Sequence, residues 1–172
     1  VAVFLAVEVK SLLLGESAIG KSEAALDLIT RGHSLVADDR VSVKCYPSGE
    51  LIGSTEEPLR HHMELRGLGI VNVKDLFGLA AIRERKSIDL VVELEPWREG
   101  KAYDRLGLDE TVYTILDTPC PYIRMPVALG RNVAHAMSEI TAALPIGIEP
   151  TLVADQPVTV DRAVGEFMES LW

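Results

Sequence analysis

The amino-acid sequence predicts an α/β (α+β) fold in which helices flank a mixed central sheet. Three observations carry this expectation. Short apolar runs, VAVFLAV at 1–7, SLLL at 11–14 and SIDLVVEL at 87–94, have the length and continuity of buried strands. SEAALDLITR at 22–31 places Ala24, Ala25, Leu28 and Ile29 on one helical stripe. Hydrophobic residues make up 48% of the 172 positions, enough to bury one core.

The remaining elements follow in order. VAVFLAV is too short to span a bilayer and reads as a strand. A glycine-bounded loop occupies 15–22, and Gly32 stands where a left-handed helix cap is wanted. SLVA at 34–37 and RVSVK at 40–44 read as strands, and YPSGE (46–50) and GSTEEP (53–58) as turns. EPLRHHMELRG (57–67) suggests a short helix, and GLGIVNVKDLFG (67–78) crosses a glycine-rich turn into an apolar segment. EPWREGKAYDRLGLDE (95–110) is polar and looped. TVYTILDTP (111–119) and YIRMPVAL (122–129) look like strands split by a Thr-Pro-Cys-Pro turn. GRNVAHAMSEITAAL (130–144) is helical, and a weak helix closes the chain at 160–172. We expect one domain, with a core over 1–145 and a tail over 146–172. The opening Val1 suggests a part of something longer.

A net charge of −9 argues against nucleic acid or an acidic membrane as partner. Cys45 and Cys120 form neither a disulfide framework nor a metal motif, which suits a reducing cytoplasm.

The chemistry concentrates at GESAIGKS. Gly15, Gly20, Lys21 and Ser22 satisfy G-x-x-x-x-G-K-[ST], between an expected strand and an expected helix. Glycines let successive N–H groups turn toward phosphate oxygens, and the helix start adds its positive dipole end. Lys21 supplies a cation for the outer phosphates, and the Ser22 hydroxyl is a candidate Mg²⁺ ligand. The whole loop, Gly15, Glu16, Ser17, Ala18, Ile19, Gly20, Lys21 and Ser22, is the candidate nucleotide cradle. Such a match arises by chance in on the order of one chain in a hundred of this length, and correct flanking elements lower that further. Ala18 stands where a third glycine would ease the loop.

Asp38 and Asp39 end the strand SLVA. That strand can run beside the one feeding the cradle, bringing its end near the phosphates. Neighbouring residues on a strand face opposite ways, so one of the two should face the γ-phosphate. Such a carboxylate either holds Mg²⁺ or accepts a proton, and Asp-Asp-Arg is equally ordinary as a solvated turn. His61 and His62 beside Glu64 make a poor metal site, because adjacent histidines point to different faces.

GESAIGKSEAALDLITRGHSLVADDRV resembles the core of HPr kinase/phosphorylase, the bacterial enzyme that phosphorylates a serine of the phosphocarrier protein HPr. MELRGLGIVNVKDLFG (63–78) resembles that family's second signature, and AYDRLG (102–107) and MPVALGRN (125–132) match later stretches in order. The likeness covers roughly 12–135. It implies a P-loop kinase domain using ATP and Mg²⁺, acting on HPr, and reversing by phosphorolysis of phospho-HPr to give pyrophosphate. It further implies a cytoplasmic bacterial enzyme assembled as a hexamer.

By the same resemblance Lys21, Asp39 and Arg105 are catalytic, Asp39 as the base that takes the serine proton and returns it in the reverse reaction. Ser22 and Glu64 match Mg²⁺ ligands, Met63–Asn72 a segment needed in both directions, and Pro126–Arg131 a segment for dephosphorylation. Each has a plainer reading: Glu64 beside Arg66 as a surface ion pair, Arg105 as a loop charge. The family's His-Gly pair would align one residue before Val1 and at Val1, and its N-terminal domain has no counterpart here. Glu8 and Lys10 fall where the family is apolar or glycine, and the tail departs from the family pattern after 145. A related P-loop kinase of another protein or small molecule, or a nucleotide-binding domain without full catalysis, stays open as an alternative.

Overall fold

The computed structural model describes residues 2–6, 10–99 and 112–127. β1 (Ala2–Ala6) and β2 (Ser11–Gly15) are followed by the cradle loop and α1 (Lys21–Thr30). Next come β3 (Ser34–Asp39), β4 (Ser42–Cys45), β5 (Leu51–Ser54), β6 (His62–Leu65) and β7 (Gly69–Asn72). Then follow α2 (Val73–Phe77), β8 (Arg85–Ser87), β9 (Leu90–Pro96), β10 (Val112–Ile115) and β11 (Thr118–Val127).

A six-stranded mixed sheet in the order β10-β11-β9-β2-β1-β3 forms the centre, so the expected α/β class with a mixed sheet holds. β11, β9 and β2 are parallel, and β1 runs antiparallel to both its neighbours. The near-continuous apolar runs follow from burial on both faces. Leu13, Leu90, Val92 and Leu94 pack with Ala25, Leu28 and Ile29 of α1 and with Met63, Leu65 and Val73. Leu12 and Val91, one residue out of phase, pack on the other face with Val36, Leu51, Ile88 and Cys120. The three-stranded sheet β4-β5-β8 contributes Leu51 to that second layer. Burying side chains such as Leu28 or Ile29 contributes about 1.5–3 kcal/mol each.

α1 ends as its sequence requires. His33 N–H donates to the Leu28 carbonyl and Gly32 N–H to the Ile29 carbonyl, both at 3.0 Å, the paired bonds of a Schellman cap. Gly32 takes the left-handed conformation, φ 98°, that this cap needs. Lys10 Nζ pairs with Asp89 Oδ2 at 2.8 Å, holding the entrance of β2 to that of β9.

Four local expectations are corrected. The helix over 57–67 is a single 3₁₀ turn, Glu57–Leu59, followed by β6. His61 at φ 66° lies outside helical backbone, and the alternation of exposed His62 and Glu64 with buried Met63 and Leu65 has the period of a strand. LIGS, between two turn-rich stretches, is β5, paired with β4 through the Tyr46–Glu50 turn. The turn between β10 and β11 is Leu116-Asp117, at φ 47° and 60°, so Thr118-Pro-Cys-Pro lies inside β11. Both central residues carry positive φ, which fits the primed hairpin turns. Pro119 and Pro121 occupy alternate positions and leave their missing N–H groups on one edge. Fourth, β3 does not lie beside β2: β1 is inserted between them, leaving β2 and β3 parallel but one strand apart. The helix expected over 130–144 and the tail lie outside the described residues.

Candidate active site

The site forms where β2 ends. Gly15 has φ 148°, and a Cβ there would meet the Leu94 carbonyl oxygen at 2.7 Å, so only glycine lets the loop leave β2 against β9. Ala18 turns the crown of the loop at φ 71°, the left-handed conformation anticipated for the missing glycine. Gly20 caps α1 at φ 102° with no side chain bonded to the helix start. The first-turn residues Lys21, Ser22 and Glu23 line a cleft of about 210 Å³ together with Ser17, Ala18 and Gly20.

Lys21 is only 3% exposed. Its Nζ donates to the Gly15 carbonyl at 2.8 Å and the Glu16 carbonyl at 2.6 Å, folding the cation back on its own loop. Burial lowers its pKa, opposed by the nearby Asp38 and Asp39 carboxylates.

Two other elements close the cleft. Asp38 and Asp39 come from the end of β3, and Glu64 and Arg66 from the β6–β7 hairpin. Register explains how β3 reaches the cradle across the inserted strand. Ala2 pairs with Leu14 on one side and Asp39 on the other, so the carboxylates stand level with the end of β2. Asp38 is buried; its Oδ1 accepts from Ser22 Oγ at 3.2 Å and its Oδ2 from Glu64 N–H at 2.9 Å. Burial raises its pKa, partly offset by the Glu64, Ser22 and Asp39 hydrogen bonds.

Asp39 is exposed and sits at φ 66°. That backbone breaks the alternation of the strand, and both aspartates line the same cleft instead of opposite faces. The expectation that one of them would turn away is corrected. Arg66 Nη2 donates to the Ala18 carbonyl at 3.2 Å, fastening the hairpin to the cradle crown.

The structure therefore gathers Gly20, Lys21, Ser22, Asp39 and Glu64 around one cleft, with Gly15, Glu16 and Ile19 completing the loop. Arg105 and residues 128–131 lie outside the described residues, while Pro126 is buried in β11. Sequence reasoning did not single out Asp38 or Arg66 for roles of their own. Asp38 carried a signal, being one of two acids at a strand end; nothing in the pattern marked Arg66 for the Ala18 carbonyl.

The donors suit Mg²⁺. The Ser22 hydroxyl and the Asp38 and Glu64 carboxylates are hard oxygens at a helix start, where Mg²⁺ needs one or two protein ligands beside water and phosphate. Among the described residues no three His, Cys, Asp or Glu side chains converge as a metal-binding group. No described helix is long and apolar enough to cross a membrane.

Comparison with known proteins agrees with the geometry. The family described as HPr Serine kinase C-terminal domain matches residues 2–149. A protein named HPr kinase/phosphorylase from Geobacter sulfurreducens is 57% identical over 122 residues, 71% of this chain and 38% of that protein. One of the same name from Treponema pallidum is 54% identical over 123 residues, 71% of this chain and 39% of that protein. The chain thus spans about two fifths of the length of these relatives. The solved Hpr(Ser) kinase/phosphatase from Coxiella burnetii has a TM-score of 0.73 and 31% identity, covering 93% of this chain and 90% of that one.

Proposed function

The chain belongs to the HPr serine kinase C-terminal domain family, and from that premise we propose that it transfers the γ-phosphoryl group of ATP to a serine of HPr. We infer that it also runs the phosphorolysis of phospho-HPr, in which inorganic phosphate is consumed and pyrophosphate released. The observation that carries this reading is the Ser22–Asp38 hydrogen bond, 3.2 Å, beside Lys21 and Asp39 at the mouth of the first helix. A site that merely held phosphate would need the cradle alone. This one adds an exposed carboxylate within the same cleft.

Phosphoryl transfer asks the protein for positioning, charge neutralisation and a base near the attacking oxygen. The cradle amides and the start of α1 hold the polyphosphate tail. Lys21 exchanges its bonds to the Gly15 and Glu16 carbonyls for the outer phosphates. Ser22 and Glu64 would hold Mg²⁺, with Asp38 orienting the Ser22 hydroxyl; the ion when bound neutralises charge on the phosphate oxygens. Asp39 accepts the proton of the serine hydroxyl as its oxygen bonds to the γ-phosphorus and ADP leaves. In reverse, a phosphate oxygen attacks the phosphoserine phosphorus, the serine oxygen departs, and Asp39 returns its proton. Arg105 supplies a second cation to the transferring group by the resemblance of AYDRLG to the family.

Incubating the chain with HPr and γ-labelled ATP, then with phospho-HPr and phosphate, tests both directions. Label on a serine of HPr and release of pyrophosphate are expected. ATP binding without labelled HPr would overturn the assignment in favour of another acceptor.

A further inference from the structure

The crown of the cradle loop is a four-residue turn, Glu16-Ser17-Ala18-Ile19, closed by the Ile19 N–H on the Glu16 carbonyl at 3.4 Å. Its third residue, Ala18, has φ 71°, while Ser17 keeps a negative φ. Positive φ at the third residue alone is the type II pattern, which asks for glycine at that place. Alanine gives up about tenfold in left-handed population relative to glycine. A closing bond of 3.4 Å is long and does little to offset that. The crown therefore carries a residue that does not hold its shape unaided.

Two cations hold it from the side. Lys21 Nζ donates to the Glu16 carbonyl at 2.6 Å, and Arg66 Nη2 to the Ala18 carbonyl at 3.2 Å. Lys21 gives up its grip when it turns to the outer phosphates; Arg66 is placed to keep its own. It follows Leu65, which with Met63 is buried in the core. The Glu64 N–H is fixed on Asp38 Oδ2 at 2.9 Å, and Leu68 N–H closes the hairpin turn on the Leu65 carbonyl at 3.1 Å. The guanidinium also passes over three acids. Asp38, Asp39 and Glu64 line the same cleft, yet among the described residues Arg66 forms no ion pair with any of them and donates to a neutral oxygen. In a trans peptide a carbonyl and the following N–H point opposite ways, so fixing the Ala18 carbonyl also fixes the Ile19 amide.

We propose that Arg66 is a positioning residue for the nucleotide: by holding the Ala18 carbonyl it keeps the crown in its left-handed, anion-receiving shape while Lys21 moves to phosphate. This rests on the nucleotide-cradle reading above and adds a residue to it. Arg66 acts through Ala18, not on phosphate. The apparent Kd for nucleotide is the intrinsic value divided by the fraction of molecules with the crown formed. With Arg66 that fraction is near one. Without it an alanine crown falls to about a tenth. A glycine crown, at ease on either sign of φ, stays near about a half.

The test is a cycle of four proteins: wild type, Arg66→Met, Ala18→Gly and the double variant. Each is titrated with a fluorescent ATP analogue in the presence of Mg²⁺, and circular dichroism checks the fold. Arg66→Met should raise Kd roughly tenfold with Ala18 in place, but only about twofold in the Ala18→Gly background. An equal loss in both backgrounds would overturn the proposal and make Arg66 a direct phosphate contact. No loss in either would overturn it as well. Should Arg66→Met fail to fold, Arg66→Gln, with a shorter polar side chain, takes its place in the cycle. Absence of wild-type nucleotide binding would end the cradle reading and this role together.

Discussion

Ser22 Oγ donates to Asp38 Oδ1 over 3.2 Å, joining the first turn of α1 to the end of a strand two places away from β2 in the sheet. The bond links the helix that opens the candidate phosphate cradle to the carboxylates at the end of β3. Asp38 is held from a third direction by the Glu64 amide. A change at this one side chain should therefore be felt in three elements.

For Asp38→Asn we expect a more stable protein at neutral pH and weaker Mg²⁺-dependent nucleotide binding. The folded-state pKa of Asp38 is raised by burial, so its ionisation opposes folding. That penalty is absent well below the ordinary carboxylate range, where both states are protonated. It grows as pH rises above that range and is complete above the raised folded value. Tm measured against pH for both proteins should converge in acid and separate toward neutrality. Parallel curves would remove the electrostatic account.

Asp39→Asn should lower kcat in both directions by about 10² to 10⁴-fold, the usual contribution of a general base. Nucleotide affinity should barely change. Titration of a fluorescent ATP analogue separates the cases, since a collapse of affinity would make Asp39 chiefly a metal ligand.

Lys21→Ala should abolish nucleotide binding and activity together while the fold persists, because the Lys21 ammonium hydrogen-bonds the carbonyls of its own loop and bridges no two elements of the core. Wild-type turnover would contradict the cradle assignment. Circular dichroism checks that α1 survives.

Gly15→Ala should cost about 1–3 kcal/mol and distort the cradle. The new methyl would face the Leu94 carbonyl at 2.7 Å from a backbone at φ 148°. A depressed Tm with lost nucleotide binding is expected; an unchanged Tm would show that β9 yields.

The two thiols should differ in reactivity. Cys120 is buried, and its pKa is pushed up to about 12 by desolvation, with Asp89 adding to it. Cys45 is exposed. Iodoacetamide at mildly alkaline pH, followed by peptide mass analysis, should modify Cys45 and spare Cys120 in the folded protein. Equal labelling would indicate opening of the layer between the central sheet and β4-β5-β8.

What was legible in the chain was whatever neighbouring residues settle among themselves. The cradle grammar, the α1 stripe and the Gly32 cap are local, and each stands where the pattern put it. β6 was misread because EPLRHHMELRG contains good helix formers, while burial of Met63 and Leu65 against α1 and the sheet imposes a period of two. β5 was missed because four residues between turns carry little periodic signal until β4 and β8 flank them.

Sequence alone determined that residues 15–22 form a glycine-bounded loop opening a helix and that acids follow at a strand end, because glycine freedom, helix polarity and side-chain charge act over a few residues. Only the tertiary structure decided where each acid sits and what it bonds. Hydrogen-bonded register across the inserted β1 sets Asp38 under Ser22, and a left-handed backbone at Asp39 swings its carboxylate into the same cleft. The approach of Arg66 to Ala18 likewise depends on packing between segments far apart in the chain.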